Sequence, residues 1–414
     1  MSRGVSEWGE VTAPPSPLTT HDSPLTTLRL RSGKDRPVRL GHPWVFAGAI
    51  ANLDPTLPAG AIVRVEAVDG ALLGIGSVNP RCAIAVRLLT RREERIDSAF
   101  VRQRVSAALA LRSQIVPTET DAYRCINGEG DFLPGVVVDR YGDTLVLQCL
   151  TAGAAAMQAE IVAALVAAIA TRTIFERSAG SVRREEGLAD VERVLYGEPL
   201  PDRLIIREHG HRFIVDVRHG QKTGLFLDQR DNRHLAKTCA AGRRVLNAFA
   251  YTGGFAVYAA AGGAREVVSV ESSPRALALA RENWQVNALP ADRGQFVDAD
   301  VFRYLRESGE PFDLLILDPP ALVKHRTEVA RGARAYKDLH LQALRRAAPG
   351  ALMLTFSCST HVDAVLFRQI VTGAAADARR EVRVLRHLGP GPDHPTNVAQ
   401  IEGEYLTGLL VCVS

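Results

Sequence analysis

The run Leu315-Ile316-Leu317-Asp318-Pro319-Pro320 ends an apolar stretch in a carboxylate and two prolines. Proline fixes φ and removes an amide donor, so the backbone around Pro320 is held for something to sit against it. Further on, Leu352–Phe356 runs into Ser357-Cys358-Ser359-Thr360-His361. A cysteine in a polar turn at a strand end is poorly suited to core packing, although burial is the commoner fate of free thiols. Methylation of a pyrimidine at C5 needs such a thiol: that carbon attacks a methyl donor only after a thiolate has added at C6, and covalent catalysis then splits one hard step into easier ones. Asp318 would hydrogen-bond the cytosine N3 and N4 edge as charge develops there. A base must then take the C5 proton before sulfur leaves. The sequence assigns no residue to that last role.

A second constellation reads as a nucleoside site. Asn247-Ala248-Phe249-Ala250-Tyr251-Thr252-Gly253-Gly254-Phe255 carries two glycines that let the backbone turn tightly beside a helix N-terminus. Glu271 follows seventeen positions after Gly254, at the end of a strand-like run; Ser272 comes next, then Ser273 as N-cap and Pro274 at N1. An acid at that place accepts ribose hydroxyls. Asp300, followed by Val301, ends a third run where a carboxylate can take an adenine amino group. Taken singly these are a turn, a cap and a loop acid; their order and spacing favour a nucleoside. The dinucleotide fingerprint G-x-G-x-x-G is absent, which weakens a nicotinamide cofactor. S-adenosylmethionine carries no phosphate and needs no such cradle.

The elements that must position these residues alternate as strand and helix after Asp228, with strands at 244–247, 266–271, 312–317 and 351–356. Such alternation implies right-handed crossovers and a parallel, doubly wound sheet with its ligand at the carboxyl ends of the strands. Upstream, short strands at 28–30, 62–65 and 84–88 indicate a small β-rich unit. A helix to about Ile115, strands at 136–138, 144–147, 173–176 and 203–206, and one long Ala-rich helix between them indicate an α+β module.

Composition sets the outer bounds. The chain has 414 residues with 50 Lys and Arg against 46 Asp and Glu, a net charge of +4, and 46% apolar residues. That excludes collagen-like, disulfide-scaffold and wholly disordered classes, and a charge this small says nothing for or against nucleic acid. The six cysteines are far apart, without the C-x-x-C spacing of zinc or dithiol sites, so no metal is expected. The most apolar long stretch, 150–169, is interrupted by Gln158 and Glu160 and fails as a membrane span. The Pro, Ser and Thr-rich start reads as a flexible tail rather than a signal peptide, which points to the cytoplasm.

On these residues, and above all on His219-Gly220-Gln221-Lys222-Thr223-Gly224-Leu225-Phe226-Leu227-Asp228-Gln229-Arg230-Asp231-Asn232-Arg233, the chain resembles the class I S-adenosylmethionine-dependent 23S rRNA (cytosine-5) methyltransferases of bacteria, the RlmI-like family. The resemblance covers residues 28 to the end. After the tail read from composition at 1–27, it implies an α/β architecture: an N-terminal β-rich PUA domain at 28–95, a small middle α+β module at 96–215 and a C-terminal Rossmann-like class I methyltransferase domain at 216–414. It implies S-adenosyl-L-methionine as cofactor, adding Gln229 and Arg233 to its binding set, and 23S rRNA or a large-subunit precursor as partner. Arg29, Arg31, Lys34, Trp44, Arg87 and Lys324 become RNA-binding candidates, although basic residues of this kind are commonly a solvated face. The turn 127–135 looks like the family's middle module and is read as structural.

Two departures stand out. Relatives often carry an aromatic residue where this chain has Leu322, and many other RNA cytosine-5 enzymes carry a second, product-releasing cysteine near the place of Ala321. Release must then rely on another group. Guanine N7 methyltransferases of large-subunit rRNA share the Lys-Thr-Gly and Asp-Gln-Arg signature and remain the nearest competing reading, separated from the first by Cys358. A non-catalytic RNA-binding protein and a nicotinamide oxidoreductase are weaker alternatives. The modified nucleotide and the oligomeric state, a homodimer among the options, are left open.

Overall fold

The computed structural model describes residues 24–414, so the expected tail lies outside the described residues up to position 23. The first sheet contains β1 (Thr26–Arg29), β2 (Trp44–Phe46), β3 (Ile62–Glu66), β4 (Leu72–Val78) and β5 (Ile84–Thr90), in the spatial order 1-3-4-5-2, with a one-turn helix α1 (Arg36–Arg39) after β1. β1 thus starts just inside the segment read as tail, paired in parallel with β3. Leu28, Val63, Val65 and Val86 point into its core while Arg64 and Glu66 pair on the outside.

Helix α2 (Ser98–Ile115) is capped by Asp97, whose carboxylate accepts the amides of Ala99 and Phe100 at 2.9 Å. It packs on the second sheet: β6 (Ala122–Asn127), β7 (Val136–Tyr141), β8 (Thr144–Cys149), β9 (Thr173–Ser178) and β10 (Val191–Gly197), in the order 10-9-8-7-6. The Ala-rich stretch is two helices, α3 (Ala152–Ala156) and α4 (Gln158–Ala168), where one was expected. Thr151 caps the first, and Gly153 lies so close to β4 that a Cβ there would stand 2.1 Å from the Ser77 hydroxyl; docking on the first sheet turns the chain at Met157 before the second begins. After α5 (Ser181–Glu185), the hairpin β11 (Leu204–Glu208) and β12 (His211–Val215) leaves the middle sheet. Its amides at Arg212 and Ile214 donate to Asn287 and Asn283 of the catalytic unit at 2.9 and 2.7 Å.

The catalytic unit runs α6 (Arg230–Thr238), β13 (Arg244–Ala248), α7 (Gly254–Ala261), β14 (Glu266–Glu271), α8 (Pro274–Val286), β15 (Gly294–Asp298), α9 (Val301–Arg306), β16 (Phe312–Leu317), α10 (Val329–Arg346), β17 (Ala347–Ser357), α11 (Ala364–Ala378), β18 (Val382–Leu388) and β19 (Thr407–Val413). Its seven strands stand in the order 15-14-13-16-17-19-18. The first five are parallel, as the strand–helix alternation requires. β19 is antiparallel to both neighbours, because it returns from β18 through a loop at 389–406 rather than through a helix, so the sheet is mixed where an all-parallel one was expected. Leu315, Ile316 and Leu317 are wholly buried in the middle of it, each contributing about 1.5–3 kcal/mol by leaving water. The strand order reverses between β13 and β16, which opens a crevice at their carboxyl ends.

Candidate active site

The chain leaves β13 through a strained loop. Phe249 and Tyr251 both adopt left-handed φ values, 58° and 46°, at a cost of about 1–2 kcal/mol each for residues with a Cβ. The loop is held by backbone bonds: the Ala250 amide donates to Val270 at 3.0 Å, and that of Tyr251 to the Glu271 carboxylate at 2.9 Å. The two glycines serve different needs. Gly253 has φ +78°. Gly254 opens α7 where a Cβ would lie 2.9 Å from the Arg233 side chain. Glu271 also accepts the Ser273 amide at 2.9 Å, and Asp300 caps α9 by accepting the Arg303 amide at 2.9 Å, so each carboxylate is fixed in direction at its strand end.

These strand ends surround a cavity of about 440 Å³. It gathers Phe249, Tyr251, Gly254, Phe255, Glu271, Ser272, Asp300, Asp318, Pro320, Cys358, Gln229 and Arg233 of the residues singled out in the sequence. Three others do not line it. Asn247 is buried inside the sheet, Val301 faces the hydrophobic core, and Gly253 packs against Ala280 of α8. Arg233 borders the cavity, but its guanidinium is bound twice by Glu208, at 2.7 and 2.6 Å, and is not free for a ligand. Leu322 lines the wall after Asp318-Pro319-Pro320, so the position at which the resemblance led one to look for an aromatic residue faces the cavity with an aliphatic side chain.

Sequence reading missed Lys222, Asp228 and Phe302, which also line the cavity. Two charges six residues apart within the Lys222–Arg233 segment were a signal, but only the fold turns them toward each other. Lys222 Nζ lies 2.7 Å from Asp228, which also accepts the Tyr405 hydroxyl at 2.8 Å. Gln229 donates to Asp318 at 3.0 Å and accepts from Asn232 at 2.6 Å. Arg230 holds Asp393 with two 2.9 Å bonds, and Thr223 donates to Asp139 of the middle sheet at 2.6 Å. The Lys222–Arg233 segment, which carries the resemblance, is therefore the bracket that seats Asp318.

This bracket sets the protonation of the cavity. Burial opposes ionisation of Asp228, yet Lys222 and His394 hold its carboxyl well below the usual carboxylate range. Asp318 goes the other way: burial, and then the charge of Asp228, push it up to about 7. Cys358 is partly buried, with Sγ 3.8 Å from the Pro319 carbonyl; burial, followed by the charge of Asp318, pushes its thiol up to about 11. One carboxylate kept ionised beside another that titrates near neutrality is the pattern of an acid–base site.

The cavity also has groups suited to S-adenosylmethionine. The buried Thr252 hydroxyl and one Asp228 oxygen have no partner. The rings of Phe249 and Phe302 stand 6.2 Å apart, and Glu271 and Asp300 close two strand ends.

Of the RNA-binding candidates, Arg29, Arg31, Lys34 and Lys324 are exposed. Arg87 is not: it is buried and paired with Glu186, which also takes the Asn79 side chain at 2.8 Å and the Ala152 amide at 3.2 Å. It clamps the first sheet to the middle module. Trp44 is half-buried and spends its indole N–H on Glu129 at 2.9 Å. Among the described residues, no helix is long and apolar enough to cross a membrane.

Comparisons with known proteins agree with this geometry. Residues 162–372 match the model of an S-adenosylmethionine-dependent methyltransferase family, and residues 28–91 that of a PUA-like domain. The ribosomal RNA large subunit methyltransferase I of Tolumonas auensis is 41% identical over 93% of this chain and 99% of its own length, and that of Erwinia tasmaniensis is 40% identical over 92% and 98%. A solved S-adenosylmethionine-dependent methyltransferase from Streptococcus mutans superposes with a TM-score of 0.81 at 25% identity, covering 94% of this chain and all of that one. A methyltransferase solved in complex with SAH shares the fold with the same TM-score at 24% identity and the same coverage. With its PUA-like unit, its α+β middle module and its Rossmann-like catalytic unit, the chain belongs to the S-adenosylmethionine-dependent ribosomal RNA large subunit methyltransferase I family.

Proposed function

We propose that this chain methylates C5 of a cytosine in 23S rRNA through a transient bond between Cys358 and C6. One observation carries the reading: the Cys358 thiol and the Asp318 carboxyl open into the cavity formed by the strand ends that suit S-adenosylmethionine. When bound, that cofactor supplies an electrophilic methyl group.

The residues of the chain account for the proton movements. At neutral pH Cys358 is a thiol, so sulfur loses a proton as it adds to C6, while cytosine N3 gains one as negative charge spreads into the ring. A carboxyl that titrates near neutrality serves both events, because it is populated in the accepting and the donating form. Asp318 therefore takes the thiol proton and presents one to N3, oriented by Gln229. Pro319 and Pro320 keep this strand end rigid, and Leu322 covers the ring where stacking is not available. With the methyl group on C5, loss of the C5 proton to water re-forms the C5–C6 double bond as the C6–S bond breaks, its electron pair going to the Cys358 sulfur, and Asp318 takes back the N3 proton. Six unpaired cysteines are in keeping with work in the cytoplasm, with rRNA or a large-subunit precursor as partner.

The test is to incubate the protein with labelled S-adenosylmethionine and undermodified 23S rRNA, then digest the RNA and identify the methylated nucleoside. 5-Methylcytidine is the expected product, and Cys358→Ala is expected to abolish it while still binding SAH. Recovery of 7-methylguanosine, or full activity in Cys358→Ala, overturns the proposal.

A further inference from the structure

A second cleft, of about 250 Å³, lies where the three units meet and shares no lining residue with the catalytic cavity. β5 and the segment after it contribute Arg91, Arg92 and Glu94; α2 contributes Arg104; the turn before β7 contributes Phe132; and the loop between β18 and β19 contributes Asn397.

Phe132 is the first oddity. The residue is 52% exposed, and its backbone sits at φ 57°, a left-handed conformation that an aromatic residue rarely adopts. The turn imposes this: the Phe132 amide donates to Glu129 at 3.2 Å and that of Leu133 to Gly128 at 3.0 Å. Strain of this kind gathers at functional sites. No core requires the ring to be there.

The guanidiniums are the second. Arg104 lies over the rings of Phe100 and Phe132, at 4.9 and 5.5 Å, and donates to the Leu89 carbonyl at 3.1 Å rather than to a carboxylate. Burial lowers its pKa, and the charges of Glu94 and Arg92 act on it in opposite directions. Arg91 donates to the Arg39 carbonyl at 2.7 Å. No ion pair among the described residues involves Arg91 or Arg92. Glu94, the one acid in the cleft, hydrogen-bonds the Thr90 hydroxyl and stands against three cations. Three guanidiniums gathered in a concave site against a single carboxylate leave an excess of positive charge that calls for an anion. An open aromatic face between them calls for a flat ring. A nucleotide has both, whereas an acidic peptide would answer the charge and leave Phe132 uncovered.

We propose that this cleft holds one unpaired nucleotide of the substrate RNA, its base stacked on Phe132 and its phosphate between Arg92 and Arg104. The inference rests on RNA being the substrate and adds where the RNA is gripped away from the reacting base. The grip is tied to the catalytic cavity by one loop. Asn397 borders the cleft, and Asp393 of the same loop is bound by Arg230, which directly follows Asp228 and Gln229 of the cavity wall. A nucleotide in the cleft thereby fixes the register of the strand that reaches Cys358.

The experiment uses the full chain with Phe132→Ala, Arg92→Ala and the double variant; neither residue belongs to the catalytic machinery. Affinity for an unmodified 23S rRNA transcript is measured over a series of KCl concentrations, with SAH binding as the check on folding. Phe132→Ala is expected to weaken RNA binding about tenfold, with Phe132→Tyr restoring it. Arg92→Ala is expected to make the dependence of log affinity on log salt shallower by roughly 0.7. For both, KM for RNA rises while kcat at saturating RNA is kept. Unchanged RNA affinity and salt slope in the double variant overturn the proposal. So does a loss seen only with precursor particles and not with naked RNA, which would place a ribosomal protein in the cleft. If the unaltered protein forms no 5-methylcytidine, the chemical reading falls, and the RNA affinities still report on the cleft.

Discussion

Arginine does opposite work around the catalytic bracket and in the second cleft. Arg230 and its partner Asp393 are both 0% exposed, and Arg233 with Glu208 and Arg112 with Asp131 repeat the pattern of a planar fork on a buried carboxylate. Such pairs have two bonds each and no capacity left for a ligand. Arg91, Arg92 and Arg104 rest on carbonyls, on aromatic faces or on nothing. The first group gives the catalytic unit its shape, and the second leaves a field that only a bound anion completes. What separates scaffold from recognition is whether the charge is already answered within the chain.

The largest effect tests the catalytic side. Cys358→Ala should lower methyl transfer by on the order of a thousandfold or more, yet leave RNA affinity and its salt slope as they are, since the cleft shares no residue with the cavity. A parallel loss of RNA binding would mean that the two regions are one site. Next, Arg233→Met leaves the buried Glu208 carboxylate without its two guanidinium bonds and with the Tyr258 hydroxyl as its remaining hydrogen-bond donor, at a cost of about 3–5 kcal/mol in urea unfolding. Adding Glu208→Leu removes the stranded charge and should recover most of that loss. If the double variant is no better than the single, Arg233 contributes by packing against Gly254 and not by its charge.

This contrast also explains what the sequence could reveal. The strand–helix alternation, the Gly253-Gly254 turn and the acids at 271, 300 and 318 were legible because each is local: a periodicity, a turn chemistry, a strand end. Arg87 and Arg233 were misjudged for the opposite reason, since their partners, Glu186 and Glu208, are far away in the chain and only the fold brings them close. Val301 and Asn247 lie behind the cavity wall rather than on it, because a strand or helix end shows which residues are near and not which way they face. Phe132 was read as structural with the rest of the 127–135 turn. Its left-handed backbone follows from the hydrogen bonds of the turn, and an exposed aromatic looks the same in a sequence as a buried one.

Asp318→Asn probes the pairing rule within the cavity. The raised value of Asp318, about 7 against 3.8, means that the folded state holds its proton more tightly than the unfolded chain does. The folded state therefore suffers no penalty from this group below the unfolded value, and the penalty grows as pH rises toward 7, where the ionised form must be carried beside Asp228. Removing the carboxylate should stabilise the protein by about 2 kcal/mol at pH 8, after discounting for its partial exposure, and should change little at pH 4, while methyl transfer is lost at both. Thermal unfolding at the two pH values reads the difference. An equal shift at both would show that Asp318 acts through shape rather than charge.

The smallest effect falls on Arg92, where the stability change itself is informative. A scaffold arginine leaves a carboxylate stranded when it is cut away. Arg92 has none to leave, so Arg92→Ala should move the unfolding free energy by less than about 0.5 kcal/mol. The sign can be stated too: Arg92 repels Arg104, which burial holds in the same cleft, so the variant should be slightly the more stable at low salt. Salt should erase that gain, because the Debye length falls from about 30 Å at 0.01 M to about 3 Å at 1 M, and two neighbouring surface guanidiniums lose sight of each other as it does. Urea unfolding at both ionic strengths measures this directly. A destabilisation of more than about 1 kcal/mol, insensitive to salt, would place Arg92 with Arg230 among the residues that hold the fold together and leave the cleft without its free charge.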